Sequence, residues 1–248
     1  MIDQSSNVDA ASGRVRRKRR DAASTFGPPN LDLRVRWLGR LNFTDALALQ
    51  EAIVASKCGD RSSPDELLLL EHEPVYTIGR TPDRSSLLGA SHLPHPLYPI
   101  NRGGQATYHG PGQLMGYPIV DLRRQGQDLH RYLRWLERLL IELLGEYEIH
   151  GARREGLTGV WIDNRKIASI GVGVRHWITM HGFALNVNGD LSPFAHIIPC
   201  GITNLAITSM EEEAGQSFSV MDVATAFERI AVKQIAGLRV KEPQATTV

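Results

Sequence analysis

The fold is decided most clearly by residues 159–174, which read GVWIDNRKIASIGVGV. Two apolar segments, Gly159–Ile162 and Lys166–Val174, flank the polar triplet Asp163-Asn164-Arg165. Short apolar runs separated by Asp and Asn are typical of two antiparallel strands joined by a tight turn. We therefore predict a β-hairpin here, with a sheet built around it.

The segments on either side of this hairpin predict both helices and strands. Residues 128–147 place their leucines on one stripe at helical spacing, which indicates an amphipathic helix packed on the core. Met180–Asn188 is a further strand candidate. Ser219 with Asp222 resembles a capping box, which predicts a last helix reaching about Ile235.

The N-terminal half shows the same alternation of elements. Asn42–Ser56 has apolar residues at helical spacing, and Leu67–Leu70 and Val75–Ile78 are short apolar runs typical of buried strands. Ser85–Pro99 is rich in proline and is predicted to be a loop. Strands and helices interleave without a strict βαβ rhythm. The expected fold class is α/β of the α+β type, one domain with a mixed β-sheet and flanking helices.

Length and charge limit the domain organisation and the class of protein. The chain has 248 residues and a net charge of +1, a balance that argues against a dedicated nucleic-acid or membrane-surface protein. No apolar run approaches the roughly 20 residues that cross a bilayer. We expect a disordered basic tail over residues 1–29, a folded domain over 30–240 and a flexible C-terminus over 241–248.

The two cysteines, Cys58 and Cys200, are too few for a disulfide framework and indicate free thiols in a reducing compartment. A cytoplasmic location is therefore expected. The arginines near the N-terminus would also suit a mitochondrial transit peptide, but Asp3, Asp9 and Asp21 lie among them, and such peptides avoid acidic residues.

The first candidate site is the glycine-rich run RGGQATYHGPGQ over residues 102–113. Its glycines would let the backbone approach a ligand closely or take a positive φ. The run lacks the order of a phosphate-binding loop and of a dinucleotide-binding loop. A tight hairpin with purely structural glycines is the alternative.

Two side chains could carry covalent chemistry. Lys166 follows the predicted turn, and a lysine, unlike an arginine, can serve as a base; an exposed hairpin lysine is the alternative. Cys200 lies in the segment Pro199-Cys200-Gly201. Its thiolate would be a nucleophile if a lysine took its proton or stabilised its anion, although a lone cysteine is more often a small buried apolar residue.

Other kinds of catalytic site are not supported. The histidines are scattered and form no His-x-x-x-His pair with a carboxylate, so no metal site is expected. No Gly-x-Ser-x-Gly segment occurs, which argues against a Ser-His-Asp hydrolase.

Together these segments resemble the octanoyltransferase family, also called lipoyl(octanoyl) transferases, of the biotin and lipoate protein ligase superfamily. The likeness runs from about Val35 to Ile235. The residues that carry it are Arg102–His109, Gly112-Gln113, Tyr117, Gly159–Trp161, Lys166–Gly171, His181–Asn188, Asp190–Phe194 and Pro199–Gly201.

The resemblance implies an acyltransferase with its catalytic domain over residues 30–240. Such an enzyme moves octanoyl from octanoyl-acyl carrier protein to a lysine of lipoyl domains, which belong to 2-oxoacid dehydrogenase E2 subunits and the glycine cleavage H protein. Cys200 would form the acyl thioester, and Lys166 would favour its thiolate and act as general base. Backbone N–H groups near Cys200 would be able to stabilise the oxyanion.

The resemblance also implies the residues that bind the acyl group and the partners. The implied substrate-binding residues are Arg102, Gly103, Gly104, Gln105, Ala106, Thr107, Tyr108, His109, Ser169, Ile170, Gly171, Gly182, Phe183 and Ala184. Octanoyl would arrive on the phosphopantetheine of the carrier protein, so no cofactor, ATP or metal is expected. A monomer is expected, with no nucleic acid or membrane partner.

Two alternatives predict different activities. ATP-dependent lipoate ligases share the Arg…Gly-Gly loop but usually continue His-Asp-x-Gly-Asn, whereas this chain continues from His109 as HGPGQ. They also do not need a Pro-Cys-Gly segment. A non-enzymatic protein with a nucleic-acid-binding tail would leave the combination of Lys166, Cys200 and the glycine-rich run unexplained.

Overall fold

The computed structural model describes residues 33–81, 85–88, 93–203 and 205–238. These residues belong to one compact unit. The predicted basic tail over residues 1–29 and the predicted flexible end over 241–248 lie outside the described residues. In the described part, no helix is long and apolar enough to cross a membrane.

A mixed seven-stranded sheet forms the centre of the fold, in the order β1-β2-β6-β9-β8-β10 with β7 also paired to β8. Its strands are β1 (Leu33–Leu41), β2 (Asp65–His72), β6 (Gln113–Ile119), β7 (Val160–Ile162), β8 (Arg165–Arg175), β9 (Ile178–Asn186) and β10 (Ala206–Ile207). β1 pairs with β2, and β10 with β8, in parallel; the other pairs are antiparallel. The mixed sheet predicted from the sequence is confirmed.

Three further strands form a second sheet. It has the order β4-β3-β5, with β4 at Leu97–Pro99, β3 at Val75–Ile78 and β5 at Thr107–His109. The predicted loop over Ser85–Pro99 is therefore wrong at its end. Leu97–Pro99 becomes a strand because the neighbouring β3 offers it a parallel ladder, which a local sequence pattern does not reveal.

In the part of the chain that the structure describes, four α-helices flank the sheet, namely α1 (Phe43–Gly59), α2 (Leu129–Glu146), α3 (Met210–Ala214) and α4 (Val220–Gln234). α1 packs on one face of the main sheet, where Ala46 and Val54 meet Leu68 and Leu70. The leucine stripe of α2 and the apolar side of α4 cover the other face. β2 is therefore buried on both faces, which explains its run of four consecutive leucines.

The strongest local predictions are confirmed. The hairpin turns at Asp163, which has a φ of 49°, and strands β7 and β8 flank the turn. Ser219 Oγ accepts a hydrogen bond from the Asp222 amide at 3.3 Å and caps α4. The alternative that residues 102–113 form a hairpin is wrong, because β5 and β6 belong to different sheets.

Candidate active site

A thiol and an ammonium group meet at the edge of the main sheet. Lys166 Nζ lies 3.2 Å from Cys200 Sγ and donates a hydrogen bond to it. Lys166 is buried on β8, with 3% of its surface exposed, and Cys200 is half-buried in the short helical turn Pro199–Gly201. The two residues are brought together because β10, just after this turn, runs beside β8 and pairs Ile207 with Lys166.

The backbone at Cys200 has an uncommon conformation. Its φ is 58° and its ψ is 13°, in the left-handed region that a non-glycine residue seldom occupies. The turn holds it there through hydrogen bonds from the amides of Cys200, Gly201 and Ile202 to the carbonyls of Ala106, Ile198 and Pro199, at 3.0, 3.0 and 3.1 Å. These three amides already have acceptors. The expectation that amides next to the thiol stabilise an oxyanion therefore does not hold for them.

Strand β7 shapes the environment of Lys166. The ammonium lies 5.1 Å from the ring centre of Trp161, close enough for a cation–π contact, and the guanidinium of Arg154 lies 5.0 Å from the same ring. A Cβ at position 159 would be 2.7 Å from Lys166 Cε, so only glycine lets the backbone pass here. Glu137 accepts a hydrogen bond from the Gly159 amide at 3.2 Å and fixes this crossing.

The sequence predicts no chemical role for Gly159 or Trp161, although both lie in segments that carry the resemblance to octanoyltransferases. A small residue and a buried aromatic residue suit any sheet, so their contact with Lys166 becomes visible only in three dimensions.

Arg102 anchors the glycine-rich run. Its side chain is buried, and its guanidinium donates to the Gly103, Thr77 and Gln105 carbonyls and to Thr77 Oγ1, at 2.9–3.2 Å. Burial lowers the pKa of Arg102 from its ordinary value. All of these acceptors are neutral, so the cation holds the loop in place while its charge stays unpaired in the described part of the chain.

A narrow cavity of about 60 Å³ opens at Cys200. Of the predicted binding residues, those that line it are Arg102, Gly103, Gly104, Gln105, Thr107, His109, Ser169, Ile170, Gly171, Gly182, Phe183 and Ala184. Ala106 and Tyr108 are not among its lining residues; both pack in a small apolar cluster with Tyr76. A Cβ at Gly182 would meet the Gly116 carbonyl at 2.1 Å, so this glycine allows strands β9 and β6 to lie side by side.

Further residues line this cavity without having been predicted as binding residues. They are Phe43, Ile100, Met115, Tyr117 and His181. Tyr117 and His181 belong to the segments that carry the resemblance to octanoyltransferases. Phe43, Ile100 and Met115 have only the apolar character of ordinary core residues. No local sequence signal could have distinguished these three.

The histidines around the cavity are neutral. His72 Nδ1 donates to the Leu41 carbonyl at 3.0 Å, so His72 Nε2 accepts from the Tyr117 hydroxyl at 2.7 Å. Burial lowers the pKa of His72 to about 4, and burial beside Arg102 lowers the pKa of His181 to about 4. The pKa of His109 is also held well below its ordinary value by burial. An uncharged ligand in the cavity therefore meets the uncharged imidazoles of His109 and His181.

Metal-binding chemistry has no candidate residues here. Across the described ranges, the His, Cys, Asp and Glu side chains form no group of three that could hold a metal ion.

Comparisons with known proteins agree with this geometry. The lipoyl protein ligase A/B catalytic domain family matches residues 42–230. An octanoyltransferase of Geobacter metallireducens is 52% identical over 189 residues, which cover 76% of this chain and 87% of the relative. A putative lipoate protein ligase structure from T. acidophilum has a TM-score of 0.67 at 16% identity, covering 83% of this chain and 86% of that one.

A biotin protein ligase from Aquifex aeolicus, solved with biotin and ATP, has a TM-score of 0.52 at 18% identity, covering 83% of this chain and 73% of that one. At this identity the structural neighbours show the fold alone, a single lipoate and biotin ligase-like domain. The sequence relatives show more than the fold. The chain belongs to the octanoyltransferase family, within the lipoyl protein ligase A/B catalytic domain family.

Proposed function

We propose that this protein is an acyltransferase that moves octanoyl from octanoyl-acyl carrier protein to a lysine of a lipoyl domain, with Cys200 as the covalent carrier. The observation that carries the proposal is the 3.2 Å contact between Lys166 Nζ and Cys200 Sγ, at a thiol that lines a narrow cavity. The octanoyltransferases among its relatives support the acyl group and the reaction.

In the first half-reaction, the Lys166 ammonium stabilises the Cys200 thiolate, which attacks the carbonyl carbon of the donor thioester. A C–S bond forms to Cys200, and the C–S bond to the carrier breaks. The departing sulfur takes a proton from Lys166. The products are an octanoyl thioester on Cys200 and a free carrier thiol.

In the second half-reaction, the lysine amine of the lipoyl domain attacks this thioester. A C–N bond forms, the C–S bond to Cys200 breaks, and the proton lost by the amine returns to Lys166. Because each step starts from a thioester, whose acyl group is already activated, the proposed reaction needs no ATP, metal or other cofactor.

The transient oxyanion needs a donor close to the sulfur. Since the amides of Cys200, Gly201 and Ile202 already donate elsewhere, we infer that the Lys166 ammonium meets the developing negative charge. The same side chain then serves the thiolate, the oxyanion and the leaving group in turn.

The acyl chain would extend from Cys200 between β8, β9 and the glycine-rich run. The side chains that line this narrow cavity would adjust to the chain as it enters. Met115 suits this adjustment because it is unbranched and adapts its shape easily.

The octanoyltransferase family suggests which proteins accept the octanoyl group. We propose the lipoyl domains of 2-oxoacid dehydrogenase E2 subunits and the glycine cleavage H protein as acceptors. The enzyme would act as a monomer in the cytoplasm, without a nucleic-acid or membrane partner.

The proposal is tested by intact-mass spectrometry after mixing with octanoyl-acyl carrier protein in the absence of ATP. We expect one added octanoyl group in the wild-type protein and in Cys58→Ala, and none in Cys200→Ala. Adding an apo lipoyl domain should discharge the adduct and acylate the domain. An adduct on Cys200→Ala, or acylation that needs ATP, would contradict the proposal.

A further inference from the structure

A second cavity, about 350 Å³ in volume, also opens at Cys200. Besides Cys200 it shares Gly103, Gly104, Ile170 and Gly171 with the first cavity, but Lys166 lines only the second. Cys200 Sγ and Lys166 Nζ therefore lie where the two cavities meet. The second cavity continues between the first turns of α2 and the loop before β7.

The chemistry of a thioester requires two such spaces. Its carbonyl carbon carries an acyl chain on one side and a sulfur-linked arm on the other. If the acyl chain occupies the first cavity and the carbonyl lies at Cys200, the sulfur arm must leave in a different direction. The side of the thiol that faces Lys166 is suitable, because the departing sulfur takes its proton there.

Much of the wall of the second cavity is apolar. Leu129 and Leu133 of α2 line it together with Leu157 and Ile202. A pantetheine arm is a slender, uncharged chain that would cover these walls. Its charge is confined to the phosphate at the far end, so a matching cation is needed only there.

Arg80 provides a cation on this cavity. It is exposed, and its amide donates to the Arg102 carbonyl at 3.0 Å, which ties its position to the glycine-rich run. Within the described ranges, no carboxylate forms an ion pair with it. A guanidinium is well suited to a phosphate because it can donate two parallel hydrogen bonds.

We propose that the second cavity binds the pantetheine arm of the donor thioester and that Arg80 binds its phosphate. This rests on the proposed function, since it concerns the first substrate of the same thiol. Arg80 then determines which donors are used, while the chemistry at Cys200 does not depend on it.

The test compares three octanoyl donors: octanoyl-phosphopantetheine, octanoyl-pantetheine without the phosphate, and octanoyl-N-acetylcysteamine, which lacks most of the arm. The rate of Cys200 acylation is followed by intact mass. For Arg80→Gln we expect kcat/KM to fall about tenfold with the phosphorylated donor and to stay unchanged with the other two. Arg80→Lys should recover part of the loss, and the exposed Arg34→Gln should behave as wild type.

A second variant tests the path of the arm. Leu157→Trp narrows the second cavity and should slow both pantetheine donors much more than octanoyl-N-acetylcysteamine. The proposal is overturned if Arg80→Gln affects all donors equally or none, or if Leu157→Trp does not distinguish the long donors from the short one. The proposed function fails separately, if wild-type Cys200 accepts octanoyl neither from these donors nor from octanoyl-acyl carrier protein.

Discussion

Lys166 and Cys200 form a hydrogen bond of 3.2 Å in which the ammonium has no carboxylate partner among the described residues. Its other close neighbour is the neutral ring of Trp161. Arg102, the next cation along the cavity, donates only to neutral oxygens. A buried cation without a carboxylate partner favours a negative charge beside it, which the proposed Cys200 thiolate would supply.

Lys166→Ala should make Cys200 a slower nucleophile at neutral pH. Removing the ammonium removes the charge that stabilises the thiolate, so alkylation by iodoacetamide at pH 7 should slow by about tenfold or more. The difference should shrink at high pH, where hydroxide removes the proton unaided. The measurement uses a Cys58→Ala background so that a single thiol reacts.

Arg165→Ala is the matched control for Lys166→Ala. Arg165 is the preceding residue on β8, but its guanidinium pairs with Glu213 at 2.8 Å and does not contact the thiol. In Arg165→Ala, Cys200 should be alkylated at the same rate as in the wild type. Equal rates in Lys166→Ala and the wild type at pH 7 would show that the lysine does not activate Cys200.

Gly159→Ala should reduce acylation by displacing Lys166. The added Cβ would lie 2.7 Å from Lys166 Cε and 2.6 Å from the Ala168 carbonyl, and the φ of 130° is itself unfavourable for alanine. We expect a loss of about 1–3 kcal/mol in the free energy of unfolding, together with slower acylation of Cys200.

Gly215→Ala is the control that separates a loss of stability from slower acylation of Cys200. Gly215 also has a positive φ, 67°, but no atom lies within 4 Å of the position its Cβ would take. It should lose stability without losing acylation rate per folded molecule, measured by intact mass against time. A Gly159→Ala variant that acylates as fast as Gly215→Ala would disprove the displacement of Lys166.

The local elements could be predicted from the sequence because each has a short-range cause. The turn at Asp163 separates two apolar runs, and Ser219 caps α4 through the amide three residues later. The contact between Lys166 and Cys200 has no such cause. It depends on the two-residue strand β10 lying beside β8, and nothing in residues 206–207 indicates that partner.

The second cavity likewise could not be predicted from the sequence. Leu129 and Leu133 belong to the leucine stripe that predicts core packing, and most of that stripe is buried as expected. The first turns of α2 also line the second cavity, because the loop before β7 leaves a gap there. Periodicity identifies the apolar face of a helix but not which part of that face a neighbour leaves uncovered.

Phe43→Leu should change the length of acyl chain that the enzyme accepts. Phe43 lines the first cavity from the start of α1, and its ring packs on His72 and Tyr98 at 5.5 and 5.3 Å between centroids. A smaller apolar side chain leaves more room for the chain end. We expect the ratio of dodecanoyl to octanoyl transfer to rise several-fold, measured with both acyl-carrier proteins in competition.

Leu49→Ala provides the comparison for Phe43→Leu. It lies on the same helix, packs against the core on the α1 side and does not line the cavity. Its chain-length ratio should be that of the wild type. An unchanged ratio in Phe43→Leu would place the end of the acyl chain elsewhere.

Acid should destabilise the fold through its buried histidines. The pKa of His72 and that of His181 are each about 4 in the folded state, against an ordinary value of 6.5, because burial disfavours the charged ring. Between pH 6.5 and 4 the unfolded chain therefore binds more protons than the native one. As far as these histidines contribute, the free energy of unfolding keeps its full value above about pH 6.5. It falls as the pH decreases, by up to about 1.4 kcal/mol per pH unit for each histidine.

The histidine contribution can be isolated with His72→Gln, measured by urea unfolding between pH 7.5 and 5. Glutamine cannot titrate and can still accept the hydrogen bond from Tyr117, so the variant should lose less stability over this range than the wild type. The window stays above the ordinary pKa of carboxylates, which would otherwise contribute to the slope. His130→Gln, at an exposed site on α2, should keep the wild-type slope. If His72→Gln also kept it, burial would not lower the pKa of His72 in the folded chain, and the prediction would be wrong.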